Sequence, residues 1–599
     1  MSLFAHPFFK GENMANWMVA GKKCDFKQIG DQLGIDQVVV RIMRNRGLTD
    51  AKQMRSFLYG GDESIHSYES LKDIDKAVDI ILEKIDEGAK IRIIGDYDVD
   101  GIMSTYILWK GLTVCNADVD TVIPHRVKDG YGISESLIDE AASDGIDTII
   151  TCDNGIAAVD AFDHALEYGM TCVITDHHEI PFKEENGKRE YILPSVPAIV
   201  DPKQEDCQYP YKNICGAVVA LRVIEALFDA LGEDLSRLDE LKELAGFATV
   251  CDVMELKDEN RVMVKNTLKN LSKSLNTGMR ALVRVCDLEG KAISAYAIGF
   301  ILGPCINATG RLDSANLSLD LLKCNNIEDA IVIANRLKKF NENRKELTVK
   351  GTLMAEYHIA ENKVDKDRVM VVYVPDLHES LAGIVAGRIK EKYNKPVFVI
   401  TDGEEGCKGS ARSIPAYHIY EAMSKIGDVF TKFGGHAMAA GFSIDKDRIE
   451  EFKKRINETC ELTDADYEEN IVIDVPMPMS YVTEKLVEQL SVLEPWGQGN
   501  EKPVFAQKDV ELISCKLMGK TSDMAKFNAR TPDGVNVELV LFRNSEKMLK
   551  AIDAKYGEKT SEKLFNSKAN GILMDVIYYP SINEYMGRKN LQFVIGDYR

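Results

Sequence analysis

The stretch GDYDVDG, residues 95–101, sets Asp96, Asp98 and Asp100 at alternate positions between the apolar run GAKIRII and the helix-like IMSTYILWKGLTV. That order predicts strand, loop, helix. Side chains two apart on an extended segment share a face, so Asp98 and Asp100 repel each other unless a cation sits between them. A hard divalent metal relieves the crowding. A solvated acidic turn, or an Asp capping a helix that starts near Met103, is the alternative this stretch leaves open.

The surrounding chain bears on the choice. From residue 91 to 203, strand-like segments alternate with helix-like ones, the pattern of a parallel sheet built from βαβ units. The strands are IRIIGDYD, VDTVIPHR, IDTIITCDNG, TCVITDHHE and PAIVDPK. Each ends in polar residues: Asp96 to Asp100, His125 with Arg126, Asp153 with Asn154, Asp176 to His178, and Asp201. Ligands of such sheets bind beyond the carboxyl ends of the strands. Segments far apart in sequence therefore deliver Asp and His to one edge. Asp98, Asp100, Asp153, His177 and Asp252 are expected to hold one or two divalent ions. Oxygen donors with a few imidazoles suit Mn2+ or Mg2+, and two such ions support in-line phosphoryl displacement, a hydrolysis. Spacing alone leaves Asp252 a second role, as cap of a helix starting near Met254. His178 adjoins His177 and is not expected to point the same way; phosphate contact or support of a ligand is its expected role.

At 599 residues, 45% hydrophobic and 28% charged, the chain has room for several globular domains. Its 13 cysteines form no CxxC pair, so neither a disulfide framework nor a zinc module is expected, and a reducing cytoplasm fits best. No apolar run approaches membrane-spanning length, and the first residues lack a basic region followed by an apolar core. Residues 1–13 differ in character from the chain after Met14 and are expected to be an extension. A net charge of −21 excludes coating of nucleic acid by global attraction, so any polyanion is held by local groups.

Organisation follows from pattern. A helical stretch, DFKQIGDQLGIDQVVVRIMRNRG, precedes the sheet, residues 204–325 read as mostly helical, and residues 327–360 form one long charged helix. A second βαβ unit comes next in RVMVVYVP, SLAGIVAGRIKEKY and KPVFVITD, then KGSARS, read as a glycine-flanked loop, and FGGHAMAAGFSI. From about residue 466 the pattern turns to β, with five or so strands that suggest a small barrel of OB type. In the barrel, Lys516, Lys520, Lys526 and Arg530 with Phe527 suggest a basic, stacking surface for a single strand, although Phe527 also suits a core. Trp496, in EPWGQGN, reads as a packed linker residue rather than a base-stacking wedge.

GDYDVDG, CDNG and DHHE resemble motifs of the DHH phosphoesterase family. HRVKDGYG, INATGRL, LHESLAGIVAGRIKEKY, GSARS, FGGHAMAAG and LEPWGQGN extend that likeness to its single-strand-specific DNA exonuclease branch, from about residue 20 onward. The resemblance implies an α/β multidomain chain: an N-terminal extension and helical lobe (1–60), a parallel-sheet DHH catalytic domain (61–325) and a long connecting helix (326–362). A smaller α/β DHH-associated domain (363–462) and a C-terminal OB-type β-barrel (463–599) complete it, around a cleft that admits one strand. It implies Mn2+ or Mg2+ as cofactor, two ions in all, and 5′-to-3′ release of mononucleotides from single-stranded DNA. Asp96, Asp98, Asp100, Asp153, Asp176, His177 and Asp252 would form the metal shell, Asp96 and Asp176 from its outer side. His125, Arg126, Arg311, His378, Ser410, Arg412 and His436 would contact phosphates. The family role in repair and recombination implies a RecQ-type helicase and a single-strand-binding protein as partners. One departure is TVCDVMEL, where the family usually carries a smaller residue at Cys251. Two rival readings remain: a shorter-chain DHH relative acting on oligoribonucleotides or cyclic dinucleotides, which would lack the barrel, and a catalytically silent DNA-binding scaffold.

Overall fold

Lys90–Ile94, Thr148–Cys152 and Thr171–Thr175 are runs of Ile, Val and Thr buried on both faces, which suits central strands of a parallel sheet. In the computed structural model, which describes residues 15–125, 132–185, 188–312, 315–403, 406–519, 522–566, 571–585 and 587–599, they are β1, β3 and β4. With Asp118–Val122 (β2) and Ala198–Val200 (β5) they form five parallel strands in the order β2-β1-β3-β4-β5. The chain moves outward from β1 to β2 and then crosses back to β3. The strand order therefore reverses between β1 and β3, where such sheets bind ligands.

Two apolar clusters cover the two faces of the sheet. Val99–Val114 (α1) is buried almost all round, because Gly216–Leu231 (α2) packs against its outer side. Gly111 permits that approach, since a Cβ there would lie 2.5 Å from Ile224 Cδ1. Helices Asp239–Cys251 (α3) and Gly303–Leu312 (α4) come next, and then the 36-residue Ile327–Asn362 (α5). Two helix starts differ from expectation. α1 begins at Val99 rather than near Met103, because Asp98 itself is the N-cap. No helix starts at Met254; the next one begins at Asp258, so Asp252 ends α3 instead of opening a new helix.

By contact density the chain divides into Tyr59–Leu347 with Pro495–Glu501, here the parallel-sheet unit, and a second unit made of the remainder. In the second unit, Met370–Tyr373 (β6), Val397–Gly403 (β7), Gly406–Arg412 (β8), Lys432–Gly435 (β9) and Ala439–Ile444 (β10) form a mixed sheet in the order β9-β10-β8-β7-β6. Only β6 and β7 are parallel, joined through Ala382–Tyr393 (α6). The KGSARS segment is thus a strand, β8, and not the expected loop. Gly409 explains the misreading: the Phe442 ring occupies the space a Cβ would take there, so the glycine serves packing rather than a turn.

Phe505–Met518 (β11), Met524–Arg530 (β12), Asn536–Leu541 (β13), Leu573–Tyr585 (β14) and Arg588–Tyr598 (β15) close into a barrel in the order β11-β12-β13-β15-β14. Phe505, Phe527, Tyr578 and Phe593 are among its fully buried side chains. Phe527 is therefore core and offers no stacking surface. Strand Asn16–Val19 pairs in parallel with Asn470–Ile473, and the Trp17 indole donates to Asp597 Oδ2 at 2.9 Å. All thirteen cysteines are unbridged, and among the described residues no helix is long and apolar enough to cross a membrane.

Candidate metal centre

β1 stops at Ile94 and the chain turns sharply into α1, so the three aspartates of GDYDVDG do not lie along one strand. Two glycines make the turn possible. A Cβ on Gly95 would overlap the Thr105 hydroxyl, and one on Gly101 would overlap the Asp96 backbone. Asp98 accepts from the amides of Asp100 (2.9 Å) and Gly101 (3.2 Å), capping α1. The cap geometry leaves Asp98 within reach of the cluster. Asp100, in the first turn of α1, accepts from Gly216 N at 2.6 Å and Ala217 N at 2.9 Å, the opening amides of α2. Two helix N-termini, each carrying partial positive charge, therefore face neighbouring carboxylates.

Asp153 follows β3 with φ of 59°, and Gly216 makes room for it, a Cβ there being only 2.7 Å from Asp153 Cβ. His177 follows β4 and brings Nε2 within 3.0 Å of Asp153 Oδ1, 3.6 Å of Asp100 Oδ2 and 3.8 Å of Asp252 Oδ2. Three sets of donors each lie within 4.8 Å of one another: Asp153 with His177 and His178, Asp100 with His177 and Asp252, and Asp96 with Asp98 and Asp153. Asp153 and His177 belong to two sets each, so the sets merge into one continuous group.

The electrostatics of that group favour a cation. Burial, then the neighbouring carboxylates, push Asp98 up, Asp153 well up and Asp252 up to about 8. Burial holds His177 below its ordinary value, which keeps it the neutral imidazole that a metal needs. Carboxylate oxygens with one or two imidazoles are the donor set of Mn2+ or Mg2+. The residues present fit such ions, and shared donors suit a pair of them.

His178 departs from expectation: its ring lies 4.5 Å from that of His177, with one nitrogen inside the same cluster. Asp176 turns it there. Its Oδ1 accepts from the His177 amide at 2.7 Å and pairs with His178 Nδ1 at 2.7 Å, while Oδ2 accepts from Ile156 N at 2.9 Å. Asp176 is thus engaged in orienting the two histidines and stands outside the donor sets. Burial acts to lower His178, but Asp176 prevails and draws it up to about 9. Sequence reasoning passed over the backbone partners of Asp100, and Asn307, whose Oδ1 accepts from Val99 N at 3.1 Å and steadies the turn. It took Asn154, which donates to the Ile94 and Cys152 carbonyls, and Asp201 no further than strand ends. Burial, with Asp176 beside it, pushes Asp201 up to about 8. Hydrogen bonds to backbone leave no periodic mark in sequence.

The residues assigned to phosphate scatter further. His125 lies just past β2, and Arg126 falls outside the described residues, as does Lys520. Arg311 is on α4, next to Gly310, where a Cβ would lie 2.6 Å from the Tyr97 carbonyl oxygen. In the second unit, Ser410 and Arg412 share a face of β8, with Arg412 Nη1 3.3 Å from Ser410 Oγ. Both lie under the first turn of α6: a Cβ on Gly383 would be 2.9 Å from Ser410 Oγ and 3.0 Å from Arg412 Nη2. His378 stands at the start of the turn leading into α6, its Nδ1 2.8 Å from Ser380 Oγ. His436 is exposed in the turn between β9 and β10.

Comparison with known proteins accords with this geometry. Family models match in order: "DHH family, N-terminal domain" over residues 90–249, "DHHA1 domain" over 366–462 and "RecJ OB domain" over 473–597. The single-stranded-DNA-specific exonuclease RecJ of Bacillus subtilis is 31% identical over 575 residues, covering 95% of this chain and 69% of the relative. The protein of that name from Salmonella typhimurium is 30% identical over 586 residues, covering 93% of this chain and 95% of the relative. Among solved structures, RecJ from Thermus thermophilus in complex with Mn2+ superposes with a TM-score of 0.80 at 25% identity, covering 98% of this chain and 79% of that one. With two relatives at or above 30% identity aligned over most of their own length, the chain belongs to the RecJ family.

Proposed function

We propose that this chain is a Mn2+- or Mg2+-dependent exonuclease that hydrolyses single-stranded DNA from its 5′ end and releases 5′-mononucleotides. The observation that carries the reading is the merged donor group at the strand-order reversal, contributed by the loops after β1, β3 and β4 and by the end of α3. The names of relatives that align over nearly the whole chain support the substrate class. Ions bound by Asp96, Asp98, Asp100, Asp153, His177 and Asp252 would polarise the scissile phosphodiester and ease deprotonation of the attacking water.

The chain's own residues do the rest. The amides of Gly216 and Ala217 fix the Asp100 carboxylate, and Asp176 fixes the ring of His178, which would meet a phosphate oxygen. Ser410 and Arg412, beside the first turn of α6, would form a pocket for a terminal phosphate, because a planar guanidinium suits a dianion. That pocket is the proposed origin of 5′ polarity. His125, Arg126, Arg311, His378 and His436 are the further candidates for phosphate contact. A shorter-chain DHH enzyme would lack the barrel that this chain has, and a silent scaffold has no use for a full donor set. A role in DNA repair and recombination in the cytoplasm, beside a RecQ-type helicase and a single-strand-binding protein, completes the reading.

The test is a manganese titration with 5′-labelled oligonucleotides, single-stranded and blunt duplex. Labelled mononucleotide from the earliest time points, from the single strand alone, is the expected result. Labelled fragments longer than a mononucleotide at the earliest times would overturn the 5′-exonuclease reading, and no hydrolysis at any manganese concentration would overturn the enzymatic one.

A further inference from the structure

None of the residues assigned above to metal or phosphate lies in the segment PWGQGNE. Yet Pro495–Glu501 packs with the parallel-sheet unit, while the chain on both sides of it, up to Glu494 and from Lys502, belongs to the second unit. Its conformation is tight. Gly497 and Asn500 exchange backbone hydrogen bonds at 3.1 Å each, and the fully buried Asn500 donates from Nδ2 to the Pro495 carbonyl at 2.7 Å.

This turn lies on the residues just after Asp252. The Gln498 carbonyl accepts from Leu256 N at 2.8 Å. A Cβ on Gly497 would lie 2.6 Å from Leu256 Cδ1. At Gly499, where φ is 70°, a Cβ would lie 3.0 Å from Lys257 Cε and 3.2 Å from Glu255 Cβ. Gly497 thus fits closely against Leu256, and Gly499 is favoured by its left-handed backbone. On the other side, Asn260 Nδ2 donates to the Glu255 carbonyl at 3.1 Å.

The chain between Asp252 and Asp258 needs such support. α3 ends at Cys251, and the Asp252 amide ties back to the Ala248 carbonyl at 2.8 Å. Val253 then takes φ of 58°, a conformation β-branched residues rarely adopt, with its side chain 66% exposed. Strain of this kind persists where the surroundings over-determine the backbone. Met254 N returns to the Thr249 carbonyl at 3.1 Å, and Leu256, 2% exposed and held by the turn, is the next anchor on that side.

We infer that Pro495–Glu501 is a strap that positions Asp252 in the metal centre, with Gly497, Gln498 and Gly499 as positioning residues that act through Leu256. The inference rests on the proposed role of Asp252 as a metal ligand. It explains why a glycine-rich turn outside the sheet domain is built to fit residues 255–257.

The test uses the full-length chain. Mn2+ affinity is measured by calorimetry without DNA, and kcat and KM are measured on a short oligonucleotide, for wild type, Gly497→Ala, Gly499→Ala, Leu256→Ala and Gly497→Ala with Leu256→Ala. Each single glycine variant is expected to bind Mn2+ about 10- to 100-fold more weakly, the usual range for residues supporting a ligand, with kcat lowered and KM little changed. Shortening Leu256 removes the clash, so Gly497→Ala should cost less in the Leu256→Ala background. Hydrogen exchange on the wild type needs no variant to fold. The Leu256 amide should be protected and should gain protection when Mn2+ is added. Folded glycine variants with wild-type Mn2+ affinity, or a Leu256 amide indifferent to Mn2+, would overturn the strap. Asp252→Asn is the separate control: if it binds Mn2+ as wild type does, the ligand assignment fails, not the fit of the turn.

Discussion

Two regions of this chain are read as meeting the same polyanion by opposite means. At the carboxyl ends of β1, β3 and β4, carboxylates crowd so closely that burial and mutual repulsion raise Asp98, Asp153 and Asp252 together. On barrel strands β11 and β12, the basic residues are spread out. Lys516 and Arg530 are exposed, while Lys526 pairs with Glu538 at 2.5 Å and Phe527 faces inward. A concentrated site depends on every donor; a diffuse one shares its work. Single substitutions should therefore be severe at the sheet and mild on the barrel.

The largest effect is expected from Asp153→Ala. Asp153 belongs to two donor sets, so its loss should lower kcat by more than ~10³-fold at saturating Mn2+. Stability of the metal-free protein should hold or rise, since one repelling charge is gone. Single-turnover hydrolysis beside thermal unfolding checks both halves. Activity within about tenfold of wild type would break the contrast between the two regions.

The next effect belongs to the second unit. Arg412→Ala should cost about 1.5 to 3 kcal/mol, roughly 10- to 150-fold in kcat/KM, on a 5′-phosphorylated strand, the range for a charged hydrogen bond. A 5′-hydroxyl strand should lose much less, and Mn2+ affinity should stay as in wild type. An unchanged ratio between the two strands would remove the terminal-phosphate role.

Legibility in the sequence divides along the same line. The parallel sheet and its converging strand ends were legible, because continuous apolar runs and the crossover rule leave few topologies. Asp153 and His177 stand together as that rule leads one to expect, and Asp252 joins them from the end of α3. The orientation of His178 was not legible: adjacency suggested divergence, but the Asp176 hydrogen bond draws its ring back beside His177. Nor was β8, where Gly409 looks like a loop residue until the Phe442 ring above it is seen. Phe527 failed for a third reason. Alternation along β12 fixes which residues share a face, not which face lines the barrel.

On the barrel, Lys516→Ala with Arg530→Ala should raise KM on long single strands only a few-fold and leave very short ones almost unchanged. Each lost phosphate contact should reduce the salt slope of binding by about 0.7. Equal loss on long and short strands would mean that these residues support the fold rather than the strand.

The smallest effect, and the most direct probe of crowding, is a pH dependence of the metal-free protein. Asp252 sits at about 8 and Asp153 well above its ordinary value of 3.8, whereas in the unfolded chain both titrate near 3.8. The folded state therefore binds more protons between those values, so stability falls as pH rises through that window. Metal-free protein is expected to show a Tm that declines from pH 5 to pH 8. His178 adds to the decline above its unfolded value of 6.5, because the folded protein keeps that proton up to about 9. His177, held below 6.5, opposes part of it at the acid end, where the unfolded chain binds the extra proton. Bound Mn2+ neutralises the carboxylates and competes with those protons. The rise in Tm on adding Mn2+ should therefore be larger at pH 8 than at pH 6, and the Asp153→Ala protein should show a flatter metal-free profile. A metal-free Tm that climbs from pH 5 to pH 8 would mean the carboxylates are not crowded, and the two regions would then differ less than their geometry indicates.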